Sequence, residues 1–244
     1  MKTTKIFTGL SFVIASVLIT TISLSLAQEN VKTRLGTVKQ DPKNKQNISG
    51  SIHITRVQSP QSKREVFDYR TQDLGYLKDF KEYIEKYTNI TVEIDGPIGI
   101  ESSNLFRYPF VYFTLSDMVD KEFAQRENRN VIKYLRSGGF ACIDYLRRLR
   151  DELLNDMNRD ITIKPVPEEH LLYHCFYDIT KQSIGRPHGL DGIWIHDELV
   201  GVCGVRISDL LVSDRFGEEE KKIVINMIVY SLIREGSGTK KELK

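Results

Sequence analysis

Leu105–Asp117, LFRYPFVYFTLSD, and its echo Gly138–Asp144, GGFACID, are short apolar runs that each end on acidic or hydroxyl side chains, with a helical segment between them. Residues 109–114, PFVYFT, are apolar at odd and even positions alike, which is what a strand covered on both faces requires. Pro109 belongs at the start of that strand, because an interior proline would remove a ladder donor. Phe140–Ile143 reads the same way. Two such strands joined by a helix imply a mostly parallel sheet, and open α/β sheets bind ligands outside the carboxyl ends of their strands. Ser116, Asp117 and Asp144 stand at those ends.

The surrounding sequence repeats the pattern. Between the two runs, Ser116 or Asp120 can cap a helix with an apolar stripe of Phe123, Val131, Ile132 and Leu135, and Gly138-Gly139 ends it. Upstream, Ser51–Val57 (SIHITRV) alternates as a strand that opens the domain. Residues 72–88 then form an amphipathic helix on Leu77, Phe80, Ile84 and Tyr87, and Thr91–Ile94 is a further strand. Downstream, Leu146, Leu149, Leu153 and Met157 share a helix face, and Ile161–Val166 is a strand or edge. Glu168–Asp178 is a helical turn or an irregular apolar segment, and residues 183–192 are a loop by their Gly and Pro content. Ile193–His196 and Leu199–Ile207 flank Asp197-Glu198 as a hairpin. Glu218–Glu235 closes the chain as a helix with acids at its start and Gly236 after its end. Strands alternating with helices give an α/β fold.

The amino terminus is different in kind. Lys2 and Lys5 precede an uncharged run, Ile6–Leu26, that closes on Ser25-Leu26-Ala27, the form of a signal peptide with a small-x-small cleavage site. The alternative is an uncleaved anchor, since the run is long enough to span a bilayer. Residues 28–50 are polar and aperiodic and read as a linker, so the expected domain is 51–236, followed by a polar tail, 237–244. The full chain carries a net charge of +2, and residues 1–27 hold two lysines and no acids, so the mature charge is 0. A nucleic-acid surface is not indicated. Export makes the chain periplasmic or extracellular, with membrane contact only through an uncleaved segment. Cys142, Cys175 and Cys203 lie inside apolar runs and read as buried thiols, although one bridge among them stays open.

Asp144 is the leading candidate for chemistry: it can serve the dipole of the following helix, or act as ligand, base or nucleophile. His170 and His174, four residues apart, would share a helix face, but no metalloprotease glutamate stands between them, and no metal or other cofactor is expected. Either histidine could instead pair with Asp144 at a site, or be a core histidine. Arg186 and His188 belong to a basic Gly-Pro loop suited to an anionic ligand, and Ser208-Asp209 ends the strand that starts at Leu199.

Four blocks, Asn104–Asp117, Tyr134–Tyr145 (YLRSGGFACIDY), His170–Ile179 (HLLYHCFYDI) and Ile225–Leu232 (INMIVYSL), occur in an order and spacing that resembles one family of exported or membrane-attached bacterial domains, domain of unknown function 4159. The resemblance covers residues 50–236. It implies a class I glutamine amidotransferase-like, flavodoxin-like fold: a three-layer α/β/α sandwich on a mostly parallel central sheet. Enzymes of that fold carry a Cys nucleophile on a tight turn after a central strand. Here the turn position falls near Asp144, Cys142 lies two residues early within the strand, and no Gly-x-Cys-x-Gly elbow is present, so glutaminase chemistry is not expected. Two readings follow: a non-catalytic module that binds a small ligand or an envelope protein partner, or a hydrolase using Asp144 with His174 or His170.

Overall fold

The computed structural model describes residues 34–58, 69–113, 121–143, 160–184, 188–205 and 217–238, with the backbone alone at 58, 69–76, 121–128 and 220. In chain order the elements are β1 (Gly36–Asp41), β2 (Asn44–Gln58), α1 (Tyr69–Tyr87), β3 (Asn89–Ile94), β4 (Ile98–Gly99), a 3-10 helix (Ser103–Arg107), β5 (Phe110–Phe113), α2 (Lys121–Arg136), β6 (Phe140–Ile143), β7 (Ile161–Pro165), a second 3-10 helix (Leu171–Tyr173), β8 (Asp191–Ile195), β9 (Glu198–Cys203) and α3 (Glu218–Ile233). The chain is mixed α/β, built on one mostly parallel sheet.

β2 organises that sheet. Ser49–Ile54 pair in parallel with β3, and Ile54–Val57 pair in parallel with β5 on the opposite edge. β5 pairs with β6 and β6 with β9, again in parallel. In chain order the long parallel strands therefore lie 2-1-3-4-5, as β3-β2-β5-β6-β9. β8 and β7 extend the far side antiparallel, and β1 pairs antiparallel with the first half of β2, on the edge that β5 takes further along.

Two apolar clusters flank the sheet. One joins Ile48, Ile52, Ile54, Phe110, Tyr112 and Phe140 to Leu77, Phe80 and Ile84 of α1 and to α3. The other joins Val57, Val111, Phe113, Ala141 and Ile143 to Val131, Ile132, Tyr134 and Leu135 of α2. β5 and β6 bury all their side chains, as their unbroken apolar sequence requires. α3 is buried at every residue from Ile223 to Leu232, so it is a core helix rather than a surface one.

The stretch read as a linker, residues 28–50, is strand from Gly36 onward. Val38, Ile48, Gly50 and Ile52 form its inward set, while Thr37, Lys39, Asn47 and Ser49 face outward. Half of the positions are polar because half face water, and the Asp41–Asn44 turn interrupts the alternation. Gly36–Asp41 and residues 44–50 therefore belong to the same sheet as residues 51–58. After α3 the chain packs against the turn that precedes β6: a Cβ on Gly138, which has φ +88°, would lie 2.0 Å from Gly236 O, so only glycine permits that approach. The expected helix at 144–157 lies outside the described residues.

Candidate functional site

The chain leaves β2 for β3 on one edge and returns to β5 on the other, so the direction of winding reverses between β2 and β5. In doubly wound sheets the crevice outside the carboxyl ends at such a reversal is the ligand position. The segments leaving the carboxyl ends of β2, β5, β6 and β9 are 59–68, 114–120, 144–159 and 206–216, and these lie outside the described residues. With them go Ser116, Asp117, Asp144 and Asp209, and Arg186 is likewise outside. What can be placed is the strand material beneath. Arg56 of β2 is level with Tyr112 of β5, which is level with Cys142 of β6.

Cys142 is 0 % exposed, and its Sγ lies 3.6 Å from Val205 O, pointing into a packed face. Cys175 and Cys203 are likewise buried thiols, and none of the three cysteines is in a disulfide. The Cys175 thiol contacts Asn226 O at 3.2 Å, and burial pushes its pKa far above the ordinary thiol value.

The two histidines sit on the connection from β7 to β8. His170 caps the second 3-10 helix, its Nδ1 accepting from Leu172 N at 3.1 Å. Its ring meets those of Trp194 and Tyr230 edge-on, at 5.3 and 5.4 Å between centroids. Tyr230 packs on Phe140, the first residue of β6, and donates to Leu199 O near the start of β9. His170 is thus near the amino ends of these strands, whereas Asp144 follows the last residue of β6. Burial lowers the His170 pKa against a smaller opposing effect of Glu169. His174 Nε2 lies 2.8 Å from Glu168 O and its Nδ1 3.1 Å from Asp178 Oδ1. Asp178 also accepts from Lys45 Nζ at 2.6 Å, and these bonds, Lys45 first, hold its carboxyl below the usual range. His188 is exposed. Among the described residues no group of three or more His, Cys, Asp or Glu side chains could hold a metal ion.

Three polar clusters escaped the sequence reading. Asn226, 0 % exposed on α3, donates to Leu172 O and Tyr177 O at 2.9 and 3.0 Å and accepts from Tyr177 N at 2.9 Å. It fixes the irregular 172–177 segment to the core; its signal was a lone amide inside an apolar helix. Asp95, just past β3, accepts from the Tyr108 hydroxyl at 2.9 Å and lies 3.1 Å from His53 Nδ1. Burial, then the bond to Asp95, raises the Tyr108 pKa to about 12. At the amino ends of the strands, Arg34 donates to Tyr108 O and Ser137 O, and Arg234 to Gly139 O and Glu198. Both arginines are 5 % exposed, and they tie the segments before β1 and after α3 to the residues that lead into β5 and β6. These pairings join residues tens of positions apart, which no local pattern reveals.

The fold and the residues placed on it define an α/β domain with a mostly parallel sheet, its candidate ligand edge at the carboxyl ends of the strands. The family model for Domain of unknown function (DUF4159) matches residues 68–232, and the chain belongs to that family. No curated protein matches the chain.

Proposed function

We propose that this is an exported ligand- or protein-binding module on a flavodoxin-like, class I glutamine amidotransferase-like three-layer sandwich, acting at the carboxyl ends of its parallel strands without a cysteine nucleophile. The 2-1-3-4-5 order and the apolar clusters on the two sides of the sheet support that architecture. Export rests on the sequence of residues 1–27. The observation that carries the functional reading is Cys142: the thiol nearest the position of the fold's usual nucleophile lies inside β6 with no exposed surface. Such a thiol is inert as a nucleophile. The positions of His170 and His174 also favour binding over an Asp/His hydrolase. One ring is wedged between aromatics, and both nitrogens of the other face protein acceptors.

The test is to incubate the protein with extract of its own cells, repurify it, and examine it by native mass spectrometry and crystallography. Bound mass, with density at the strand ends, is the expected result. Cys142 should stay unmodified by a maleimide in the native state; modification of that thiol together with turnover of an amide substrate would sink the reading.

A further inference from the structure

His170 and His174 stand at the two ends of the second 3-10 helix, as its N-cap and its C-cap, and their hydrogen bonds respond to an added proton in opposite ways. Both nitrogens of His174 face acceptors, Glu168 O at 2.8 Å and Asp178 Oδ1 at 3.1 Å, so a doubly protonated ring keeps both bonds. His170 Nδ1 is itself the acceptor, taking the Leu172 N–H at 3.1 Å, so the proton of the neutral ring is on Nε2. A second proton goes only on Nδ1, where it meets that N–H head-on and ends the cap. Asn or Ser at an N-cap accepts the same bond at every pH. Histidine is the side chain that loses it in mild acid.

The His170 ring also covers something. It is half-buried and packed edge-on against Trp194 of β8 and Tyr230 of α3, which are 4 % and 5 % exposed. The surroundings do not shelter an imidazolium there. Burial lowers the ring's pKa, and Glu169, beside it on the turn, opposes that with a smaller effect. The Lys164 ammonium of β7 already lies over the Trp194 ring, 4.9 Å from its centroid. The Tyr230 hydroxyl, pushed up to about 12 by burial, carries no charge in mild acid. Glu198 and Arg234, close to Tyr230, are paired with each other. The turn is pinned on either side, by His174 on Glu168 O and by Asn226 on Leu172 O, which leaves residues 169–171 and the His170 ring as the part that moves.

We propose that His170 is an acid-operated latch: neutral, it caps the 3-10 helix and closes over Trp194 and Tyr230; protonated, it swings out and uncovers the two aromatic rings. A ring in the open position takes up its proton near the ordinary 6.5, above the closed one, so the open population grows as pH falls below that value. The latch does not depend on what the strand-end crevice binds.

Trp194 is the chain's single tryptophan, so its fluorescence reports this contact alone. In the purified full chain, acrylamide quenching of that emission should rise between pH 7 and 5 while far-UV circular dichroism stays constant. The protection factor of the Leu172 amide should fall over the same range by about fivefold, the factor that one side-chain cap is worth. His170→Asn keeps an acceptor for Leu172 N and cannot titrate, so both readings should become independent of pH. His174→Gln should leave the wild-type response in place. Should His170→Asn not fold, nitrogen-15 spectra of the wild-type imidazoles decide, with Nδ1 of His170 expected bare at pH 7 and protonated in step with the Trp194 change. A Trp194 signal that ignores pH, responds equally in His170→Asn, or changes only together with loss of the far-UV signal overturns the latch, as does a His170 ring with its proton on Nδ1 at pH 7.

Discussion

Strands β5 and β6 bury every side chain they carry, whereas β1 and the first half of β2 bury one face and leave the other to solvent. The first pair is sandwiched between α2 on one side and α1 and α3 on the other; in the second, α1 and α3 cover only the side of Val38, Ile48 and Ile52. One sheet therefore contains two kinds of strand. In the doubly covered kind any substitution meets the core, and in the singly covered kind only alternate ones do.

The largest effect that could break this comparison is truncation. The matched family region begins at residue 68, but β3, β4 and β5 all pair with β2, which precedes it. A chain starting at residue 68 should therefore show no cooperative unfolding transition by calorimetry or circular dichroism, and a normal transition would mean that β2 is dispensable. Single substitutions come next. Phe110→Ala on β5 should cost about 3–5 kcal/mol and Ile52→Ala on β2 about 2–5 kcal/mol in denaturant unfolding. Ser49→Ala, on the outward side of β2, should stay within about 0.5 kcal/mol. A large cost at Ser49 would show that something covers the outer face.

The same contrast explains what could be read from the chain beforehand. PFVYFT and GGFACID are legible because double burial forces an unbroken apolar run that no loop would carry. Residues 36–50 of the β1–β2 hairpin are not, because Thr37, Lys39, Asn47 and Ser49 are solvated in the fold as they would be in a linker, and only Val38 and Ile48 mark the difference. The α/β class and its mostly parallel sheet followed from these covered strands together with the helices that alternate with strands along the chain. Site residues were less legible. Asp144, Ser116 and Asp117 were chosen by their distance along the chain from a strand end, which fixes the edge of the sheet but not a partner.

Asn226 sharpens the comparison from the helix side. Asn226→Ala removes two donors and one acceptor from a dry site and strands Leu172 O, Tyr177 O and Tyr177 N. Each unsatisfied group costs about 1–3 kcal/mol where water cannot reach it. The loss should be about 3 kcal/mol, with native-state hydrogen exchange accelerated across 172–177 ahead of α3. Uniform exchange across both would mean that the segment is not held by this residue.

His170 belongs to the same segment and gives a smaller, pH-dependent effect. Burial holds its folded pKa below the ordinary 6.5. The unfolded chain then binds the proton more readily, so this residue costs nothing above that value and destabilises the fold progressively as pH falls below it. His170→Asn keeps an acceptor for Leu172 N and removes the titration, so stability between pH 7 and 5 should fall less steeply in the variant than in the wild type. Parallel slopes would take His170 out of the acid response.

The smallest effect lies where the two regions touch at the surface. Lys45, at the start of β2, reaches Asp178 beyond the 172–177 segment, and Asp178 has a side chain that is 72 % exposed. An ion pair so open to water and salt contributes within about 0–1 kcal/mol. Lys45→Gln should therefore change stability by less than about 0.5 kcal/mol at moderate salt, although the atoms lie closer together than those in most of the buried bonds described above. A large loss would mean that the hairpin is held to the core through its charged tip. A negligible one leaves that work to Val38, Ile48 and Ile52, the first two of them inward side chains inside the stretch that the sequence reads as a linker.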